Sequence, residues 1–468
     1  MYPEKFFEKE ALNFVAMLPH ATDLNRGMET ENVWSPPTNK EEVAQKGYWY
    51  PWGIISVIYT KRGGKVLTRK QLGGEHLQVL MVDSGGFQLK RHKVEDISAV
   101  RTMQIQNDIG DIGFLIDVAD TYMLTTQPYM FEKCIEKSVK KADIAYKLWD
   151  ESKVDLYMTV HGGTSEEKVK WHDTVAKGRD FSGIAFGNVD FPDDYGFIPF
   201  GSKFGEKRTP ISGRSTVFNR IAIQRRRRFL RELDRLYMAK VVLGYDNLHY
   251  FGMATHNQKM DSMLYALKKV NKYKSMRVSI DSSLFYVRVK QGYRTNRVHN
   301  PYSNGQIAKI GGINEGVSDT KCNCAVCKEN SLPLFDEEGG NFIVIKGKGM
   351  VKVNPDGTTE RIRTMEASGT IRYSMSTHNV CALGDWHDLH NNMTAEQVRD
   401  TMLKNYLFND FNTYLYIKYI DDIAKNGFEF ANEWFERNMD LIPTREEAFE
   451  IVCKSMNRLK GDKKDVFT

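Results

Sequence analysis

The 468-residue sequence has no apolar run of the about 18 or more residues that a membrane-spanning helix needs. It also has little excess charge of either sign, since 66 lysines and arginines face 60 aspartates and glutamates and the formal net charge is +6. Taken over the whole chain, that balance gives no sign of a nucleic-acid partner. The acidic N-terminal stretch lacks the basic and apolar regions of a secretory signal. We therefore expect a soluble protein, with no membrane partner, that stays in the cytoplasm.

Cysteine is scarce, with 6 residues in the chain, which excludes a disulfide-rich scaffold. Three of the six lie close together, at Cys322, Cys324 and Cys327. Three thiolates at this spacing can share one tetrahedral Zn²⁺ with a fourth ligand from elsewhere. An iron–sulfur cluster and three unligated thiols are the alternatives. We favour a structural zinc site, and the candidates for its fourth ligand are His378, His387 and His390.

Between residues 48 and 285 the sequence repeats one unit, a short apolar run followed by a helical pattern. Continuous apolar strands that alternate with helices predict a parallel sheet covered on both faces. A doubly wound open sheet usually has a Gly-rich loop after its first strand, and none is found there. We therefore predict an α/β fold, the (β/α)₈ TIM barrel. The apolar runs are Val79–Val82, Ile112–Ile116, Leu156–Val160, Phe181–Phe186, Leu248–Phe251 and Met276–Ile280, with an earlier pair around Tyr48–Tyr59.

Segments that break this alternation suggest the domain organisation. We expect a catalytic barrel, a zinc-binding subdomain and a helical C-terminal region, at residues 1–300, 301–395 and 396–468. The barrel carries a basic insertion at about 190–245, which includes a helix over roughly Thr216–Lys240. The zinc-binding subdomain carries an inserted β-hairpin at about 333–372, because alternating apolar segments flank the turn Asn354–Gly357.

Polar or small residues follow the predicted strands, at the end where TIM barrels hold their catalytic groups. Three acids at one rim suggest acid/base and nucleophilic chemistry by carboxylates. Each acid alone has a structural alternative, as a helix cap or the start of a turn, and a single histidine is more often packed than catalytic. The residues at the strand ends are Asp83, Asp117, His161, Gly187, Gly252 and Asp281.

Several of these segments resemble motifs of the guanine transglycosylases, which exchange a guanine in a polynucleotide for a 7-deazaguanine base. MVDSGGFQL at 81–89 is similar to the family's most specific signature, and the C-x-C-x-x-C run is similar to its zinc site. LHN at 389–391 resembles its zinc-ligand His-Asn. The resemblance extends in order and approximate spacing over residues 79–395. Further similar segments are IGFLIDVAD, VHGG, DFSGIAFGNV, HYFGMAT and SIDSS.

The resemblance implies a role for each matching residue. Asp281 would attack the anomeric carbon of the target nucleotide, Asp83 would be the general acid/base, and Asp117 would hold the guanine edge. A covalent glycosyl-aspartate would preserve the strand while bases are exchanged, and the target base would be flipped or unpaired. The base pocket would be completed by Ser84, His161, Gly187 and Gly252. The zinc ligands would be Cys322, Cys324, Cys327 and His390.

Departures from the family pattern favour one branch of it. His161 stands where the family has a glutamine, Asn188 replaces a glycine, and 62 residues lie between Cys327 and His390. These features favour the branch that inserts preQ0-like 7-deazaguanines into DNA, found in phages and bacteria, so the cytoplasm would be the host's for a phage protein. The alternatives are exchange on tRNA in the queuosine or archaeosine pathway, a non-catalytic nucleic-acid-binding relative, and a hydrolase that removes guanine. The resemblance also allows a homodimer.

Positive charge is concentrated on either side of Asp281 in sequence. Residues 201–230 hold nine basic residues against one acid, and no acid lies between Ser282 and Asn300. A run of charge is usually a solvated face, but a phosphate backbone would have to pass beside the active rim. We therefore expect a nucleic-acid surface formed by Arg225, Arg226, Arg227, Arg228, Arg288, Lys290, Arg294 and Arg297.

Overall fold

The structure is a computed structural model that describes the chain in several ranges. Most of them belong to one α/β unit, and the remainder are short strands between residues 293 and 361. The described residues are 7–18, 52–62, 65–72, 77–85, 98–116, 129–162, 165–187, 233–252, 257–282, 293–295, 307–309, 341–345, 349–353, 358–361, 387–406 and 412–428.

Eight parallel strands form a closed barrel in which each strand pairs with the next along the chain and the last pairs with the first. The chain therefore folds as an α/β TIM barrel, which confirms the predicted fold class. All eight carboxyl ends lie at the same rim because every pairing is parallel. The strands are β1 (Leu12–Leu18), β2 (Trp52–Ser56), β3 (Val79–Asp83), β4 (Ile112–Phe114), β5 (Asp155–Val160), β6 (Gly183–Phe186), β7 (Asn247–Tyr250) and β8 (Arg277–Ser282).

The sequence predicts two barrel strands around Tyr48–Tyr59, and the structure has one barrel strand there, so this prediction is wrong. Only β2 belongs to the barrel there, and a 3₁₀ turn at Val57–Tyr59 follows it. The remaining strand is β1, in the N-terminal segment, which pairs with β8 on one side and β2 on the other. No recognisable helical pattern links β1 directly to β2, so the repeating unit that reveals the other strands is missing from the sequence here.

Helices cover the barrel, and two of them come from the C-terminal region. Val398, Met402 and Ile420 of the last two helices lie in the same hydrophobic core as the outer faces of the strands. A further helix over residues 233–237 continues into a π-helical turn at Met238–Val242 before β7. No helix in the described ranges is both long and apolar enough to span a bilayer. The α-helices are α1 (Ala99–Ile109), α2 (Tyr129–Leu148), α3 (Ser165–Val175), α4 (Asn257–Lys269), α5 (Ala395–Tyr406) and α6 (Asn412–Asn426).

A helical turn at residues 387–391 fastens the C-terminal region to the first strand. The side chain of Asn391 accepts a hydrogen bond from the backbone N–H of Leu12 (3.0 Å) and donates one to its carbonyl (3.1 Å). Lys268 of α4 donates to the Asn391 carbonyl at 2.8 Å, and the ring of His387 stacks on Phe14 with centroids 5.2 Å apart. This turn thus covers β1, beside the junction where the barrel closes, and α5 packs on α4.

Five short strands lie between the barrel and this turn. Strands β12 and β13 pair in antiparallel fashion on either side of the turn predicted at Asn354–Gly357. The alternating segment before that turn forms two strands, β11 and β12, instead of one continuous strand. Strands β9 and β10 form a separate antiparallel pair. Their bounds are β9 (Tyr293–Thr295), β10 (Ile307–Lys309), β11 (Asn341–Ile345), β12 (Gly349–Val353) and β13 (Thr359–Arg361).

The interior of the barrel is apolar in the middle and polar at its amino-terminal end. Met81, Phe114 and Tyr157 belong to the inner cluster, whereas Asp155 and Arg277, the first residues of β5 and β8, are buried polar residues. Burial raises the pKa of Asp155 to about 6 from 3.8. Its carboxyl group therefore ionises at a higher pH in the folded protein than in the unfolded chain, and its ionisation weakens the fold.

We predict that Asp155→Asn removes part of the pH dependence of stability. A raised folded pKa contributes stability that is complete below the unfolded value of 3.8 and is lost as the pH rises through about 6. Between about pH 4 and pH 7 the wild type should lose unfolding free energy that the variant keeps, so the difference in favour of the variant should grow with pH. Chemical denaturation measures both values. Glu151→Gln at an exposed position is the control. The same pH dependence in both variants would contradict the prediction.

Candidate functional site

The barrel places six of the seven residues predicted to act in catalysis or in the base pocket at its carboxyl-terminal rim. A strand orients alternate side chains to the same face, so Asp83 shares the inward face of β3 with Val79 and Met81 of the inner cluster. The rim positions are Asp83 as the last residue of β3, Ser84 directly after it, His161 after β5, Gly187 after β6, Gly252 two residues after β7, and Asp281 as the fifth of six residues in β8.

Other predicted site residues lie outside the described residues. The backbone of Arg294 belongs to β9, but its side chain is not among those described. The interpretation of the basic segments and of the cysteine cluster therefore continues to depend on the sequence. The residues concerned are Asp117, Arg225, Arg226, Arg227, Arg228, Arg288, Lys290, Arg297, Cys322, Cys324, Cys327 and His378.

Asp281 is completely buried, with an exposed fraction of 0%. Its Oδ1 accepts a hydrogen bond of 2.5 Å from the backbone N–H of Gly252. Its Oδ2 has no hydrogen-bond partner among the described residues. A buried carboxylate oxygen without a donor costs free energy and is rare unless it has a chemical role. The side chain is thus held through one oxygen, and the other has no donor within the described part of the chain.

Gly252 directs its amide at this carboxylate because the chain turns sharply after β7. Its φ of +66° lies in the left-handed region, which glycine adopts at no steric cost. A residue with a side chain would be strained there, and relief of that strain would rotate the N–H away from Asp281. The sequence interpretation placed Gly252 in the base pocket, whereas its observed hydrogen bond is to the carboxylate.

His249 is a site residue that the sequence analysis missed. It is completely buried in β7, and its Nε2 lies 3.6 Å from Oδ1 of Asp281. Its Nδ1 lies 2.9 Å from Oγ of Ser279, on the neighbouring strand β8. The ring packs against Phe114 and Phe251, with centroid distances of 5.1 and 4.7 Å. The signal available in the sequence was a histidine at the inward-facing position two residues before the end of the apolar run.

His161 is held at the rim by the helix that follows it. Its ring packs edge-to-face on Trp171 of α3, with centroids 4.9 Å apart, and Trp171 donates a hydrogen bond to the carbonyl of Thr159. Helix α3 can approach this closely because the next residue is Gly162. A Cβ atom there would lie 2.7 Å from the backbone nitrogen of Lys168. Gly162 therefore allows α3 to hold a buried histidine at the carboxyl-terminal rim.

The described candidates for the fourth zinc ligand, His390 and His387, both lie in the turn that covers β1. His390 is 5% exposed, and its Nε2 faces Oδ1 of the buried Asp261 of α4 at 4.0 Å. A carboxylate behind one ring nitrogen is the usual outer partner of a metal-bound histidine. Burial, with a smaller effect of His390, lowers the pKa of His387 to about 3. His387 stacks on Phe14, so its ring is used in packing, and His390 fits the ligand role better.

The metal-site prediction cannot be completed from these histidines alone. Within the described ranges, no group of three or more His, Cys, Asp or Glu residues is arranged to hold a metal ion. The three clustered cysteines fall outside those ranges. His390 is therefore compatible with one ligand of the expected four, and zinc stays a prediction.

Comparison with protein-family models gives no match for this chain, and comparison with curated proteins gives none either. The resemblance to guanine transglycosylases rests on the motifs and on the side chains at the rim.

Proposed function

We propose that the protein is a guanine transglycosylase that exchanges guanine in a polynucleotide for a free 7-deazaguanine base, with DNA favoured over tRNA. The observation that carries this proposal is the state of Asp281. Its carboxylate is buried at the catalytic rim, one oxygen is held by the Gly252 amide, and the other has no donor within the described part of the chain. A nucleophilic carboxylate requires this combination of fixed orientation and a free lone pair.

The proposed reaction uses two carboxyl groups at one rim, with Asp281 as the carboxylate and Asp83 in its protonated form. Oδ2 of Asp281 uses a lone pair to bond the anomeric carbon, while the bond from that carbon to the base breaks and its electron pair leaves with the base. Asp83 supplies the proton that the departing base requires, and the half-buried position of Asp83 suits exchange with an entering ligand. The reverse sequence with the second base, which returns its proton to Asp83, restores the glycosidic bond and both carboxyl groups.

Burial of Asp281 favours exchange over hydrolysis. Water at the anomeric carbon would convert the glycosyl-aspartate into an abasic site, and a closed pocket keeps water away from it. We assign Asp117, Ser84, His161, Gly187 and Gly252 to the base pocket, as the resemblance implies. Ser84 and His161 are buried at the rim, where a flipped base would displace the remaining solvent.

We predict that Asp281→Asn abolishes exchange, with a loss of roughly a thousandfold or more. Asparagine keeps the size of the side chain and can still accept the Gly252 hydrogen bond, so the loss reports on the nucleophile. The assay supplies labelled 7-deazaguanine base with duplex DNA or with tRNA and measures label retained in each. Asp155→Asn, the same substitution at the opposite end of the barrel, is the control that should keep activity.

The arms of this assay separate the alternatives. Label in DNA supports the proposal, and label in tRNA alone would overturn the choice of DNA. Abasic sites without label would indicate a hydrolase. Binding of nucleic acid without any exchange would identify a non-catalytic relative, and exchange by Asp281→Asn would refute the nucleophile.

We further propose that Cys322, Cys324, Cys327 and His390 bind a structural zinc ion. Such an ion closes a tetrahedral site and contributes directly to folding free energy. We predict that Cys324→Ser loses the metal and unfolds at a lower temperature, with exchange activity retained below that temperature. Metal content by elemental analysis and thermal unfolding test this, with Cys134→Ser in the buried core as a control that keeps metal. Undiminished stability without metal would contradict the prediction.

We also predict a steep salt dependence of nucleic-acid binding. Each phosphate contact releases counterions, so the logarithm of the binding constant falls linearly with the logarithm of salt concentration. Arg294→Ala should weaken binding and reduce that slope by about one. Fluorescence anisotropy over a salt series measures the slope. Lys147→Ala, exposed in the last turn of α2 and so at the end of the barrel opposite the rim, is the control. A binding constant that does not change with salt concentration would contradict the proposed nucleic-acid surface.

A further inference from the structure

We infer that His249 is a positioning residue for the nucleophile: its Nε2–H and the Gly252 amide both hold Oδ1 of Asp281, which leaves Oδ2 to form the bond to the sugar. The inference deepens the proposed function and rests on it. It begins from an arrangement of buried groups on two adjacent strands. His249 and Asp281 are both completely buried, and their facing atoms are 3.6 Å apart.

The tautomer of His249 follows from the partners of its two nitrogens. The 2.9 Å contact between Nδ1 and Oγ of Ser279 can form in either tautomer, because the hydroxyl can donate to Nδ1, or accept from it and donate to the carbonyl of Leu248 at 3.4 Å. The position of Nε2 decides between the tautomers, since it faces Oδ1 of Asp281. When Ser279 donates to Nδ1, the neutral ring carries its proton on Nε2. That proton then faces a carboxylate oxygen. The opposite tautomer would place two lone pairs against each other in a buried site, which costs free energy.

Packing prevents the ring from adopting another orientation. Phe114 of β4 and Phe251 beyond β7 contact it from two sides, with interplanar angles of 46° and 82°. No hydrogen-bond partner for Nε2 occurs among the described residues, and Asp281 is the acid that faces it. The separation of 3.6 Å is longer than a formed hydrogen bond, as catalytic contacts often are before the substrate binds and tightens them. His249 is thus directed at Asp281 and at no other described acceptor.

This arrangement affects the two states of the nucleophile differently. In the carboxylate, Oδ1 carries negative charge and accepts strongly from both donors. In the glycosyl-aspartate, Oδ2 bears the sugar and Oδ1 is an ester carbonyl, a weaker acceptor. The donors therefore favour release of the carboxylate from the ester and keep the covalent intermediate from becoming a trap. A histidine that serves packing alone would have no such effect.

The first experiment reads the tautomer and needs no substrate. Histidine is labelled with ¹⁵N, and the ring signals of His249 are assigned by their absence from His249→Gln. We expect a protonated Nε2 and an unprotonated Nδ1. Both signals should move in Asp281→Asn, and the Nδ1 signal should move in Ser279→Ala. A proton on Nδ1, or ring signals that do not move in Asp281→Asn, would overturn the inference.

The second experiment separates positioning from packing. His249→Phe keeps a ring between Phe114 and Phe251 but has no donor, so we expect kcat to fall roughly 10- to 100-fold with KM little changed. The fraction of enzyme covalently joined to nucleic acid should rise when the second base is withheld. His249→Gln restores a donor at a similar reach and should recover most of kcat. Equal kcat in the wild type and His249→Phe would refute the role.

Controls distinguish failure of this inference from failure of the proposed function. His172→Phe, the same substitution on the outer helix α3, should leave kcat unchanged. The protein could lack exchange activity while His249 carries its proton on Nε2 and its ring signals move in Asp281→Asn. That result would refute the proposed transglycosylase activity and support the contact between His249 and Asp281. An active exchange enzyme with the proton on Nδ1 would refute the positioning role alone.

Discussion

Closure of the barrel by β1 and β8 is the constraint on which the rest of the molecule depends. Pairing of these two strands closes the edge formed by the eight carboxyl ends into a ring, and it sets Val15 opposite Asp281 in the register. Closure also removes the two exposed edges that an open sheet would present. The C-terminal region reinforces this junction, because Asn391 satisfies both backbone groups of Leu12 from outside the barrel. A distant part of the chain thus stabilises the strand beside Asp281.

The interior of the barrel shows how stability and function are divided along its axis. The middle is filled by apolar side chains such as Met81 and Phe114. Their burial stabilises the fold, and they have no side-chain polar group that needs a hydrogen-bond partner. Charged groups occur at both ends. At the amino-terminal end Asp155 ionises only above its usual range. At the rim Asp281 accepts a hydrogen bond from the Gly252 amide and faces the ring of His249, and under the proposed function its burial would prepare the carboxylate for reaction.

The sequence predicts the barrel well where a buried strand has a simple sequence pattern. Strands buried on both faces appear as continuous apolar runs, and the run at Val79–Val82 matches β3 to within one residue. Strand β1 is also an apolar run, LNFVAML, but no recognisable helical pattern links it to β2, so the repeating unit that reveals the other strands is missing there. His249 is missed for a different reason. A histidine inside an apolar run has no sequence feature that shows which carboxylate faces it across two strands.

The sequence likewise does not show which strand Asn391 contacts. Through this residue the C-terminal region holds β1 in place. The motif that resembles a zinc-ligand His-Asn pair suggests a function only for the histidine, yet the neighbouring asparagine clamps β1. A zinc ion on His390 would stiffen the turn that carries this clamp, through the residue directly adjacent to it. The energy of metal binding would then reach β1 and its partner β8 through backbone hydrogen bonds, without any contact between the metal and the substrate. A structural metal remote from the chemistry would in this way still help to hold Asp281 in register.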